Sequence, residues 1–139
     1  MATNERQEFR KWAGARGLSS DVVELLLQQL LDDYALNPAY PSWIGSPTRV
    51  MSANDPTRGF GLEKEPFDLG FLLIGSCPNG DPVAVNIREP ELPVYYISHE
   101  GIYSEPLPEI MAKVSGSLAE YRAALASDTS RPPLDYWDT

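Results

Sequence analysis

The chain has a single cysteine, Cys77, and a single histidine, His99. An internal disulfide is therefore impossible, which fits a reducing compartment. A structural zinc site needs about four nitrogen, sulfur or carboxylate ligands. With no C-x-x-C or H-x-x-x-H spacing, no metal and no cofactor are expected. Cys77 reads as a small, semi-buried residue before a turn, since nothing basic adjoins it to stabilise a thiolate. Basic residues are scarce too: 11 Lys and Arg stand against 20 Asp and Glu, a net charge of −9. A protein that binds free nucleic acid needs a basic face to neutralise phosphates, so that class is set aside. Long apolar runs are missing as well. The most apolar stretches, residues 22–27 (interrupted by Glu24) and 71–74, fall far short of the roughly 20 residues a membrane span requires. Residues 1–11 are polar and charged, with no apolar stretch of a signal peptide. The expectation is a cytoplasmic protein.

At 139 residues, 42% apolar, the chain suits one domain with a real core. Residues 4 to about 16 predict a helix whose stripe is Phe9, Trp12, Ala13 and Arg16, with Gly17 placed as its C-terminal cap. Asp21 is expected to open a second helix, with Glu24 at capping-box spacing. Val22, Val23, Leu26, Leu27, Leu30, Leu31 and Tyr34 recur with helical period, giving a broad apolar face that should lie against a sheet. Residues 37–66 are broken by Pro38, Pro41, Pro47, Pro56 and Pro66, leaving room for a short strand near 49–53.

The centre is clearer. Residues 69–76 are apolar enough for a buried strand. Val83, Val85 and Ile87 alternate with Ala84, Asn86 and Arg88, the period of a half-buried strand. Between them Asn79-Gly80 signals a hairpin. A second turn over residues 89–93 leads to a strand at 94–99, completing an antiparallel meander. Ile110 to Val114 is either a last strand or an early turn of the final helix. That helix is expected to start at Ser117, with Glu120 at capping-box spacing and Leu118, Tyr121, Ala124 and Leu125 inward. The tail, residues 127–139, is either loose or docked by Tyr136 and Trp137. The fold class is α+β: an antiparallel meander flanked by N-terminal helices and a C-terminal helix, in one domain spanning residues 1–139.

Catalytic groups are hard to assemble. A nucleophile needs a base within reach and a third group to orient that base. His99 stands between Ser98 and Glu100, but strand neighbours point to opposite faces, so the run is not a triad. A hydrogen-bonded histidine at a strand end is expected instead. The pairs Asp32-Asp33, Glu63 with Glu65, and Glu89 with Glu91 abut turns or helix ends, where carboxylates are usually solvated. Asp55 and Asp81 fall in turns, where Asp bonds its own backbone. Gly75 to Gly80 lacks the phosphate-loop lysine and precedes a strand, so it reads as a turn. The chain is not expected to be an enzyme.

Binding has better material. Tyr95 and Tyr96 adjoin on a strand, so one faces the core and the other does not. An exposed tyrosine among Glu89, Glu91, Glu100 and Glu105 would pair an aromatic anchor with charge, as interfaces do. The alternative is that both rings are covered.

The stretch Gly70-Phe-Leu-Leu-Ile-Gly-Ser-Cys-Pro-Asn-Gly-Asp-Pro-Val-Ala-Val-Asn-Ile87, followed by Pro93-Val-Tyr-Tyr-Ile-Ser-His-Glu100, resembles the core of the SUKH superfamily, which includes the Smi/Knr-type cell-wall regulators of fungi. Lys113-Val-Ser-Gly-Ser-Leu-Ala-Glu-Tyr-Arg122 is similar to that family's closing helix, and the resemblance covers roughly residues 69–126. Before it, no clear leucine-proline-x-x-tyrosine segment follows the second helix, and Asn37-Pro-Ala-Tyr40 stands in a comparable place. The resemblance implies a curved sheet flanked by helices, with Gly75, Gly80 and Asp81 shaping a turn. It also implies an immunity protein that neutralises a partner toxin, often a nuclease. A basic toxin would suit an acidic inhibitor. The rivals are a regulatory or scaffold subunit bound to an endogenous protein, and a small enzyme using His99.

Overall fold

The computed structural model describes residues 2–30, 44–55, 65–77, 80–99, 101 and 106–126. The expected α+β class is what it shows: four helices and one open, four-stranded antiparallel sheet. Helix α1 is Ala2–Ala15 and α2 is Ser20–Gln29. Gly17 closes α1 at φ 87°, with Leu18 N–H donating to the Ala13 carbonyl and Gly17 N–H to that of Gly14. This is the Schellman arrangement, for which a residue without Cβ suits the left-handed position. Phe9 and Ala13 are buried, as their stripe requires. Arg16 shares that stripe because its guanidinium lies over the Trp12 ring, 5.0 Å from the centroid, and 4.9 Å from that of Phe67.

The start of α2 corrects the expectation. Ser19 is the cap, its Oγ accepting the Val22 N–H at 3.3 Å, and the helix opens before Asp21. Extended backbone at Ser19 puts the hydroxyl over the orphan amides. Glu24 serves Arg10 of α1 instead, accepting from Nε at 2.9 Å and Nη2 at 3.1 Å. The helix also ends sooner than its apolar pattern, because Leu30 turns to extended backbone; Leu31 and Tyr34 lie outside the described residues. Val23, Leu26, Leu27 and Leu30 nevertheless join the same core as the sheet. Each such leucine, fully buried, stabilises the fold by about 2 kcal/mol relative to exposure.

Helix α3, Pro47–Ala53, stands where a short strand was expected. Ser46 Oγ accepts the Arg49 N–H at 3.3 Å, and Pro47 at the first helical position supplies a preset φ where its missing N–H costs nothing. A 3₁₀ turn, Pro66–Leu69, then delivers the chain to β1.

The strands are β1 (Phe71–Ser76), β2 (Pro82–Asn86), β3 (Val94–Ile97) and β4 (Met111–Ser115), paired in that order. The meander is as expected, and of the two readings of Ile110 to Val114 the strand is the one found, over Met111–Ser115. At the first hairpin Gly80 has φ 101°, with Gly80 N–H donating to Cys77 O and Cys77 N–H to Asp81 O. Strand β2 differs from the half-buried reading: Pro82, Val83, Ala84 and Val85 are all buried. It is a central strand covered on both faces. Val83 and Val85 enter the main core with Leu72, Ile74, Val94 and Tyr96. Ala84 enters a smaller cluster on the outer face with Leu73, Ile97 and Ile110. Ile87 and Arg88 lie past the strand, in the turn. In that turn Leu92 has φ 55°, unusual for a residue with Cβ, and its fully buried side chain helps hold it there. Helix α4, Leu118–Ala126, begins as expected, with Ser117 Oγ accepting the Glu120 N–H at 3.1 Å.

The sheet's β1 edge is sealed by side chain and loop. Asn54, at the end of α3, donates Nδ2–H to Leu73 O at 2.8 Å, and its Oδ1 accepts the Leu73 N–H at 3.0 Å. Gly45 N–H donates to Ile74 O at 2.7 Å. A Cβ on Gly45 would lie 3.2 Å from that oxygen and from Arg49 Cβ, so the close approach favours glycine.

Candidate functional site

Alternation along β3 separates the two tyrosines. Tyr96 points into the core, is 0% exposed, and shares a hydrogen bond of 3.0 Å with the Tyr121 hydroxyl of α4. Burial, with the nearby Tyr96 next in effect, pushes the Tyr121 hydroxyl far above the usual tyrosine range. Tyr96 is therefore a core residue and offers nothing to a partner. Tyr95 takes the outer face, half-buried, its ring edge-on to Phe71 with centroids 5.3 Å apart. Ala84 and Lys113 are its neighbours on β2 and β4.

The acidic residues of the β2–β3 turn reach the same end of the sheet. Phe71 stands opposite Asn86, and Asn86 Nδ2–H donates to Glu89 Oε2 at 3.0 Å. Glu89 and Glu91 are both exposed. Glu91 also ties the turn to α4, its carbonyl accepting the Leu118 N–H at 3.3 Å. Of the expected binding residues, Tyr95 stands on the outer face, and Glu89 and Glu91 stand in the turn at the same end of the sheet. Glu100 and Glu105 lie outside the described residues, as do Trp43, Tyr103, Tyr136 and Trp137. This end can present an aromatic edge and two carboxylates to a basic surface.

A second constellation escaped sequence reasoning. Asp81, expected to bond its own turn, reaches across to the end of β3. Its Oδ1 accepts the His99 backbone N–H at 3.0 Å and lies 2.6 Å from the imidazole Nδ1. The aspartate side chain is 0% exposed and the histidine 38%. An ionised carboxylate only accepts, so the ring N–H it meets is the one on Nδ1. The contact latches the first hairpin to the strand end and orients the imidazole. The residues are 18 apart, so no local motif marks them. Counting strand register outward from the 89–93 turn would have found them, since Val83 opposite Tyr96 carries Asp81 to the end of β3. Cys77 is buried beside this latch. Among the described residues no group of three or more His, Cys, Asp or Glu is placed to hold a metal ion, and no helix is long and apolar enough to cross a membrane.

No protein-family model, curated protein or solved structure matches this chain.

Proposed function

We propose that this protein is a cytoplasmic protein-binding module of the SUKH type, acting as an immunity protein that covers the active site of a basic, nuclease-like toxin. The observation that carries the reading is one end of the sheet, where Tyr95 lies edge-on to Phe71 on the outer face and the turn that follows β2 holds exposed Glu89 and Glu91. A half-buried tyrosine has its ring position fixed before contact, so it anchors a partner at small entropic cost. Exposed carboxylates at the same end of the sheet, on a chain of net charge −9, speed encounter with a basic surface and compete for a groove shaped for phosphate. The resemblance adds support, because its Gly80-Asp81 and His99 residues serve the turn and the latch. Such an inhibitor works by occlusion and needs no chemistry of its own.

The test is capture from the native cell extract on the immobilised protein, washed at rising salt, followed by co-expression. The expected result is one basic protein that elutes as salt rises, is toxic alone and is harmless beside this chain. Tyr95→Ala with Glu89→Lys and Glu91→Lys should abolish that protection while the variant stays folded. Capture of a large resident assembly, with no protection from any toxin, would instead point to a scaffold subunit.

A further inference from the structure

The sheet ends differently on its two sides. At β1 the outward N–H and C=O of Leu73 are both bonded to the Asn54 amide, as a neighbouring strand would bond them. At β4, among the described residues, the outward groups meet no such cover. Ser98 N–H donates to Ile110 O, and Ile97 pairs with Met111. By alternation, Met111 and Lys113 then turn their own N–H and C=O away from β3. Among the described residues none of these groups has a hydrogen-bond partner. An uncovered edge is a template for another strand.

Charges along this edge say what kind of strand fits. Glu109 stands just before β4, exposed. Lys113 is exposed at its centre. Glu120, also exposed, holds its carboxylate beside Gly116, where an added Cβ would come within 3.3 Å. Among the described residues none of these three side chains makes an ion pair or hydrogen bond. The edge therefore reads acidic, basic, acidic along its length. A second copy fits the whole strand poorly: antiparallel self-pairing centred on Lys113 sets Lys113 against Lys113, and directly opposed like charges destabilise a strand pair, while the register slipped by two residues, which sets Lys113 against Glu109, pairs only Met111 to Lys113 of the strand. Two chains of net charge −9 would also repel.

We propose that β4 is a docking edge, taking an extended segment of a partner protein, basic at both ends and acidic at its centre, as a fifth strand. This deepens the protein-binding reading and rests on it, since the occupant is a protein. The incoming backbone bonds the outward groups of Met111 and Lys113. Its central carboxylate pairs with Lys113, and its basic ends meet Glu109 and Glu120. Lys113 has a double role: it rejects self-pairing and selects the partner's centre.

The experiment uses the full chain and a synthetic peptide, Lys-Val-Thr-Val-Glu-Val-Thr-Val-Lys, whose three charges share one face of a strand, with its charge-swapped counterpart Glu-Val-Thr-Val-Lys-Val-Thr-Val-Glu. The first peptide should bind and slow amide exchange at Met111 and Lys113, while the second binds about tenfold more weakly or worse. Lys113→Pro removes an outward N–H and spares the β3 ladder, so it should lose the first peptide while lowering the thermal midpoint by no more than a few degrees. Glu109→Lys with Glu120→Lys should reverse the preference. Should Lys113→Pro fail to fold, exchange at Met111 and Lys113 in the unmodified chain, with and without the first peptide, decides the question by itself. Equal binding of both peptides, unchanged β4 exchange at saturation, or no binding would overturn the proposal. So would a dimer, seen by sedimentation, that Lys113→Pro dissociates, because the edge would then belong to a second copy. No toxin enters the experiment, so its failure leaves the neutralisation test standing, and a failed neutralisation test leaves strand addition standing.

Discussion

At one edge of the sheet a side chain and a loop stand in for a strand, whereas at the other, among the described residues, nothing bonds the strand's outward backbone groups. Asn54 can seal β1 because its amide carries a donor and an acceptor on one plane, spaced like a peptide group. Helix α3 delivers it there, and the Arg16 guanidinium holds the Asn54 carbonyl at 2.6 Å. The sealed edge is thus built into the helical layer through α1 and α3. At β4 the neighbouring helix, α4, is anchored to the inner face through Tyr96 and Tyr121 and leaves the strand's outward groups alone. The contrast teaches that an edge is closed where a buried polar group can be fully satisfied, and that one left open is managed by charge instead.

The largest effect should come from unsealing the closed edge. Asn54→Ala leaves the Leu73 N–H and C=O without their partner in a buried site, which should lower the unfolding free energy by about 3 kcal/mol. Urea unfolding should show the loss as a shifted midpoint with unchanged slope. Next is the anchor beneath the open edge. Tyr121→Phe removes one hydroxyl of a buried pair and should cost about 1–2 kcal/mol by the same measurement. The same pair makes stability depend on alkali. The folded state raises the Tyr121 pKa, so the stabilisation is fully present below the unfolded tyrosine pKa of about 10 and is lost as pH rises above it. Absorbance near the phenolate band should show this tyrosine ionising only as the fold opens.

Lys113→Pro should do less, under about 1 kcal/mol by thermal unfolding, because the lost N–H faces outward; Ala112→Pro, which faces β3, should do much more. The smallest effect belongs to a pair remote from both edges. Arg10 and Glu24 side chains are 44% and 51% exposed; their mutual hydrogen bond lowers the Glu24 pKa, yet solvent screens the attraction. Arg10→Ala should leave the unfolding midpoint unchanged within error.

Much of the architecture was legible from local pattern. Gly17 closes α1, Asn79-Gly80 marks the first hairpin, Ser117 caps α4, and the three central strands follow in order. The α3 signal was present in Ser46-Pro47, but the surrounding prolines made the segment read as broken chain. Asn54 bonds Leu73 across 19 positions and Asp81 bonds His99 across 18. Such contacts depend on strand register and on where α3 lands, which no window of neighbouring residues contains. Tyr95 and Tyr96 lie between these cases: alternation said that one was buried, and only the packing of Tyr121 against Tyr96 decided which.

The most direct measurement is backbone amide hydrogen exchange on the free protein, comparing Leu73 with Met111 and Lys113. Slow exchange at Leu73 with fast exchange at Met111 and Lys113 is the expected result, since one edge is bonded and the other is not. Protection at Met111 and Lys113 equal to that at Leu73 would contradict it, for β4 would then be covered already.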